Sequence, residues 1–435
     1  MNTRQVRIGA DVGGTFTDVI LQSGSGEVRI KKVLSTPPAY DVAVVNAIRE
    51  LVDEDRETVD EVVHGTTVAT NAVLEKLGAR TAIVTTLGFR DVFELRRMRM
   101  PHLYDYFWEK PAPLVPRHLR FEVEERMSAS GEVLERLTRD EALRVAEELG
   151  AMGVESVAVC LLHAHLYPEH EELLRAVLRS ELPDIPISLS SEILREQQEY
   201  ERTATTVVNA YIQPLMAGYV DKIREGVSEF ATSAPLMIMQ SSGGVMTADD
   251  AATRPVYALE SGPAAGVVAA LGLADALGYS NVITFDMGGT TAKASLIENG
   301  RVSRSQEYEV GASLSAGSRL LRGSGELIRI QRSTSPRLAP AEGVSRGSTR
   351  RVRFRSAREA LVRCLGQPAM DVAGTSPPLP TRTCCSVTSR PVLSHPVISS
   401  CPPSLPSVLS NGSPFPSACP YARRRGASTG SQMRP

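Results

Sequence analysis

The stretch IGADVGGTFTDVIL, residues 8 to 21, is an apolar run broken at Asp11 by a Gly-Gly-Thr turn and resumed as FTDVIL. VITFDMGGTTAKASLI, residues 282 to 297, repeats the pattern. Two strand-turn-strand units with one Asp-x-Gly-Gly-Thr centre constrain the fold more than any other feature. Consecutive glycines, Gly13 and Gly14, permit positive φ and close backbone approach, so successive N–H groups can point into a concavity that holds an anion. Thr15 and Thr17 add hydroxyl donors, and Asp11 stands at a strand end where a carboxylate can hold hydrated Mg²⁺ beside phosphates. Asp286, Gly288, Gly289, Thr290 and Thr291 repeat the arrangement. A lone copy reads equally well as a tight hairpin with a capping Asp. Two copies favour one ligand gripped from two sides.

The 435 residues allow roughly two to three domains. No apolar run approaches the ~18 residues of a membrane helix, and MNTRQVRIGADVGG lacks the apolar core of a signal peptide. A cytoplasmic protein without a membrane partner is expected. VRIGADV, FTDVILQ and EVRIKKVLS read as a strand meander. From Asp140 helix and strand alternate (DEALRVAEELGAMG, ESVAVCLL, PEHEELLRAVLRSEL, IPISLSSEI), which predicts an α/β fold with a mostly parallel sheet. EYERTATTVVNAYIQPLMAGYVDKIREGV reads as one long helix with a bend at Pro214, and SGPAAGVVAALGLADALG as a Gly/Ala-rich helix.

In HGTTVATN, Gly65, Thr66 and Thr67 follow His64 at an expected strand-to-helix junction, where helix N-terminal amides favour an anion or a carbonyl. His64 is a candidate for substrate or phosphate contact and proton transfer. The competing reading makes Thr66 or Thr67 an N-cap and His64 a satisfied core residue. The turns SSGG, from Ser241, and ESGP, from Glu260, either line a nucleotide cleft or are structural. Glu199 and Arg202 are expected to form a helical i,i+3 pair, and His163, His165 and His170 to lie in a solvated loop rather than on a metal.

The paired turns resemble the phosphate-1 and phosphate-2 hairpins of the actin, sugar-kinase and chaperone-ATPase superfamily, which implies ribonuclease H-like domains. More closely, GADVGGTFTDVIL, HGTTVATNAVLE, RTAIVTTLGFRDVFELRR, EYERTATTVVNAYI, MQSSGGVMT, ESGPAAGV and FDMGGTTAK resemble the hydantoinase A / 5-oxoprolinase family over residues 6 to about 330. That resemblance implies ATP-dependent ring opening of a cyclic amide (hydantoin, N-methylhydantoin or 5-oxoproline) through phosphorylation of the amide carbonyl, with ATP and Mg²⁺. It implies Asp11, Asp286 and His64 as catalytic residues, Asp11 and Asp286 on the metal, both glycine turns on phosphate, and Thr66, Thr67 and Asn71 on substrate. A hydantoinase B-type subunit is the implied partner, nucleic acid is not, and self-association is left open. Acetone and acetophenone carboxylase subunits are related, so a ketone-carboxylase subunit is one alternative. A nucleotide-binding fragment without turnover is another.

From Gln331 onward the chain has 15 arginines, no lysine and three acidic residues, so this tail carries +12 and the first 330 residues −14. Five of the six cysteines (Cys364, Cys384, Cys385, Cys401, Cys419) also lie there, without C-x-x-C spacing. Such composition reads as disordered, yet moving the reading frame by one base, with one base in three left open by the genetic code, permits LPTRTC to be read as VTDANL. The same shift from Gln331 permits a run containing GAGGGSI and PGPACYG, segments that resemble the same family. The expectation is an N-terminal domain over 1–190 carrying the first hairpin, a truncated ATPase-like domain over 191–330 carrying the second, and a frameshifted tail over 331–435.

Overall fold

The computed structural model describes residues 4–52, 57–97, 107, 109–231, 233–287, 291–310, 325–332 and 337–340. The chain divides into Met1–Pro391, which holds all of these, and Val392–Pro435.

The first sheet grows from alternation. From Val6 onward β1 (Arg4–Val12) buries every second side chain, and β2 (Phe16–Ser23) does the same, the period of strands with one face on a core. The two pair antiparallel across the first glycine turn, and β3 (Val28–Leu34) extends the meander. Helix α1 (Tyr40–Arg49) turns Ala43, Val44, Ala47 and Ile48 inward. β4 (Glu57–Thr66) then lies parallel to β1.

After α2 (Val68–Leu74) the chain builds a second sheet. It comprises β5 (Thr81–Thr86), β6 (Arg120–Val123), β9 (Ser156–Cys160) and β10 (Ile187–Leu189), in the order β10-β9-β5-β6, all parallel. The short helix α3 (Val92–Leu95) and the ribbon β7 (Arg126–Met127) with β8 (Val133–Glu135) lie along this path. Every residue of β5 and β9 is buried, as in a parallel sheet covered on both faces. The cover comes from α4 (Arg139–Ala151), α5 (Glu169–Glu181) and a long later helix. The side chain of Thr138 caps α4 by accepting from the Glu141 N–H. The short helix α6 (Ser190–Ile193) follows β10.

Helix α7 (Glu199–Ser228) is continuous through Pro214. Tyr200, Ala204, Val207 and Ala210 belong to the core of the second sheet, whereas Ile212, Met216, Tyr219, Val220 and Ile223 belong to that of the first. One helix thus joins two cores. β11 (Leu236–Met239) then docks parallel to β4, and β12 (Val245–Thr247) pairs antiparallel with β11, giving the order β12-β11-β4-β1-β2-β3. The expected division at 190/191 therefore does not separate the sheets, because β11 and β12 complete the sheet that β1 begins.

Helix α8 (Ala248–Thr253), a 3₁₀ turn over Pro255–Ala258 and α9 (Ser261–Ala276) lead to β13 (Val282–Met287), β14 (Thr291–Glu298) and β15 (Arg301–Val302). β16 (Ser305–Val310) pairs with β17 (Glu326–Arg332), and β18 (Arg337–Pro340) pairs with β14. Regular structure thus runs past the boundary expected at Ile330. The tail from residue 341 lies outside the described residues. Among the described residues no helix is long and apolar enough to cross a membrane.

Candidate functional site

Because β1, β4 and β11 are parallel, their carboxyl ends bring Asp11, the Gly65–Thr67 segment and the Gln240–Ser242 turn to one edge. This is where open α/β sheets place their ligands. Asp11 pairs in register with Gly65 on one side and Asp18 on the other. It is exposed, while Asp18 is held by the Lys32 ammonium at 2.6 and 2.7 Å. A Cβ on either Gly65 or Gly262 would come within 2.8 Å of Asp11 Oδ1. The carboxylate thus occupies a slot walled by the β4 backbone and the first turn of α9, whose N-terminal dipole favours negative charge.

The first glycine turn differs from the sequence expectation in two respects. Neither Gly13 nor Gly14 takes a positive φ, and the Gly13 N–H donates to Phe16 O at 2.9 Å, so Gly13 does not offer its amide to a ligand. A Cβ on Gly14 would meet nothing within 4 Å, and Gly14 and Thr15 are exposed. The open ground for an anion is therefore Gly14–Thr15. Thr17, expected as a phosphate donor, is fully buried. Its hydroxyl meets Ser35 Oγ at 3.0 Å, and Ser35 donates onward to Gly13 O at 2.8 Å. Thr17 and Ser35 brace the turn from below. Nothing local in the sequence pointed to Ser35.

His64 is a correction of the same kind. Its ring is wholly buried, with Nδ1 3.0 Å from Ala10 O and Nε2 2.7 Å from the Tyr219 hydroxyl. A carbonyl only accepts, so Nδ1 carries the proton and Nε2 accepts from Tyr219. Burial lowers the imidazole pKa to about 4. His64 is a neutral strut between β1 and α7, not an acid or base facing a ligand. Thr66 Oγ1 accepts from the Val68 N–H, the first amide of α2, at 3.1 Å. Thr66 is buried, and Thr67 donates its hydroxyl to Val12 O at 3.1 Å. Asn71 is half-buried on α2. Of the three residues expected on substrate, Thr66 and Thr67 spend their hydroxyls on the fold.

The two later turns lock onto this edge. Ser261 Oγ accepts from the Thr66 N–H and donates to Thr66 O, both at 2.9 Å. Buried Glu260 has φ 61°, ψ 27°, a left-handed conformation that costs a non-glycine residue roughly 1–2 kcal/mol. Its N–H donates to Thr70 Oγ1 at 3.0 Å. Ser241 donates to the carbonyls of Leu259 and Tyr257. SSGG and ESGP are thus mutual scaffolding for the slot around Asp11.

In the second hairpin Asp286 pairs with Lys293, seven residues on, as Asp11 pairs with Asp18. Asp286 is exposed. Gly288, Gly289 and Thr290 lie outside the described residues, as does the side chain of Thr291, which opens β14. Elsewhere, Arg202 does not pair with Glu199. It is buried and donates to His165 Nδ1 at 3.0 Å and Leu161 O at 2.6 Å, while Glu201 takes Arg97. His170 meets buried Glu125 at 2.7 Å. Buried Cys160 has its thiol pushed up to about 12, so it is not a nucleophile. An exposed carboxylate in a glycine-walled slot, beside open backbone, fits a hydrated cation and the phosphates of a nucleotide.

Two family models match the chain: "Hydantoinase/oxoprolinase N-terminal region" over residues 7–182 and "Hydantoinase/oxoprolinase" over 202–375. An uncharacterised protein of Methanocaldococcus jannaschii is 41% identical over 74% of this chain and 48% of its own length. The caprolactamase subunit alpha of Pseudomonas jessenii is 33% identical over 76% and 49%. The crystal structure of that organism's ATP-dependent caprolactamase has a TM-score of 0.67 at 32% identity, covering 76% of this chain and 47% of the other. Nucleotide-free acetone carboxylase, at 24% identity and a TM-score of 0.64 over 75% and 48%, shares the fold. The chain spans about half the length of these relatives. Its sequence motifs, its mixed α/β architecture and both family matches place the chain in the hydantoinase/oxoprolinase family.

Proposed function

We propose that the chain carries the nucleotide edge of an ATP-dependent enzyme that opens a small cyclic amide of the hydantoin, lactam or 5-oxoproline type. The slot that holds Asp11 between Gly65 and Gly262 carries this reading, supported by the family membership and by a relative named as an ATP-dependent caprolactamase. A ring amide is a poor electrophile, and ATP supplies the phosphoryl group that makes its carbonyl oxygen a leaving group. The chain's own part is positioning and charge placement. Asp11 holds the cation side, the open Gly14–Thr15 backbone receives phosphate, and the His64–Tyr219 strut and Ser261 fix the strand ends. Asp286 would do from the second hairpin what Asp11 does from the first. A hydantoinase B-type subunit, a cytoplasmic location and the shifted-frame origin of the tail belong to the same proposal.

The test is nucleotide binding with and without Mg²⁺. A carboxylate beside phosphate is repulsive unless a cation stands between them, so Asp11→Ala should weaken Mg·ATP by about tenfold or more and leave metal-free ATP nearly unchanged. Equal losses for both forms would remove Asp11 from the cation side.

A further inference from the structure

A second feature opens on the same edge. The turn after β11 contributes Gln240 and Ser242 to a cleft of about 490 Å³, whose other walls include Met246, Arg254, Tyr257 and Ile330. Its apolar lining includes Met246 and Ile330, both buried. Its polar groups are unequally occupied. Glu196 is paired with Arg329, Asp250 accepts the Thr247 hydroxyl at 2.9 Å, and the Tyr257 hydroxyl donates to Ile193 O at 2.5 Å. Gln240 Oε1 accepts from Ser242 at 3.1 Å, which leaves its Nε2 free to donate. Arg254 lines the cleft with no carboxylate or acceptor on its guanidinium among the described residues. A planar cationic fork, an amide donor and apolar side chains lining one cleft suit a flat ring that bears a carboxylate.

We infer that this cleft is an anion subsite for the substrate, in which Arg254 binds the carboxylate of a small carboxylate-bearing cyclic amide and Gln240 donates to its ring carbonyl. The inference rests on the cyclic-amide reading above and narrows it: the site selects an anionic ring over a neutral one. Phosphate could offer Arg254 the same charge, so the experiment separates the two sources.

Equilibrium binding to the full chain is measured by calorimetry with three probes: L-5-oxoproline, 2-pyrrolidinone (the same ring without the carboxylate) and Mg·ATP. Wild type should bind 5-oxoproline at least about tenfold more tightly than 2-pyrrolidinone, the scale of one charge-assisted contact. Arg254→Gln should abolish that difference while the neutral ring, Mg·ATP and the thermal midpoint are unchanged. Arg254→Lys should restore part of it. Equal wild-type affinities for the two rings, or an Arg254→Gln protein that still prefers 5-oxoproline, would overturn the subsite. Weakened Mg·ATP in Arg254→Gln would assign the cation to the nucleotide and equally overturn it. Failure of wild type to bind Mg·ATP at all would strike the wider functional reading instead, so the two failures are distinguishable.

Discussion

The imidazole of His64 has no exposed surface, and both of its nitrogens are engaged, one by a strand carbonyl and one by a phenol on α7. Burial strips the charged form of its solvation, and the hydrogen bond to the Ala10 carbonyl offsets this only in part, which is why the pKa falls from 6.5 to about 4. The unfolded chain therefore takes up this proton first as the pH drops. The stability tied to neutral His64 is fully present above about pH 6.5, declines through the window from 6.5 to 4, and is exhausted below it. Over that window the contribution is on the order of 3 kcal/mol. His64→Gln, which does not titrate, should be less stable than wild type at pH 7, and the gap should narrow by about that amount at pH 4 in denaturant titrations. A gap independent of pH would mean that His64 titrates normally. The sequence singled out this histidine but not its role, because the deciding partner, Tyr219, lies 155 positions away.

At the scale of elements, periodicity carried most of the fold: the meander, the βαβ alternation and the 30-residue α7 all stand where pattern placed them. Two things were not legible. The docking of β11 beside β4 depends on long-range pairing that a strand's own sequence does not encode. The partners of Arg202 were also missed, because helical spacing suggested Glu199 while burial favoured the Leu161 carbonyl and His165. Close approach of helices is similarly silent in sequence. Gly226 on α7 abuts α1, and a Cβ there would come within 2.6 Å of Val45 Cγ2 and 2.8 Å of Cγ1. Ala in place of Gly favours a helix by about 1 kcal/mol, but Val45 is stiff at χ1 and overpacking costs about 1–3 kcal/mol. Gly226→Ala should therefore be net destabilising, by about 1 kcal/mol, and Val45→Ala in the same chain should relieve the clash so that the two effects are not additive. A Gly226→Ala protein more stable than wild type in chemical denaturation would show that the α1–α7 contact yields freely.

For the whole molecule, the proposed reaction asks for more than one wall. The described residues give one sheet edge with Asp11, its glycine slot and the Arg254 cleft. The relatives that match are about twice as long. Phosphoryl transfer to an amide oxygen needs nucleotide and ring aligned and shielded from water, and misplacement by about 1 Å costs about a hundredfold in rate. Binding can survive on one wall, whereas turnover cannot, so this polypeptide should bind Mg·ATP yet show negligible ring opening with hydantoins, caprolactam or 5-oxoproline. Restoring one base near codon 331 should replace the Arg-rich, Lys-free tail by the glycine-turn sequence of the shifted frame. Turnover should then rise by at least about a hundredfold, more so with a hydantoinase B-type subunit supplied. The measurement is ring opening coupled to ADP release for both chains at matched concentration. Robust turnover by the present chain alone would show that these residues already hold a complete active site. An inactive repaired chain that still binds Mg·ATP would show that the shifted frame does not supply the second wall.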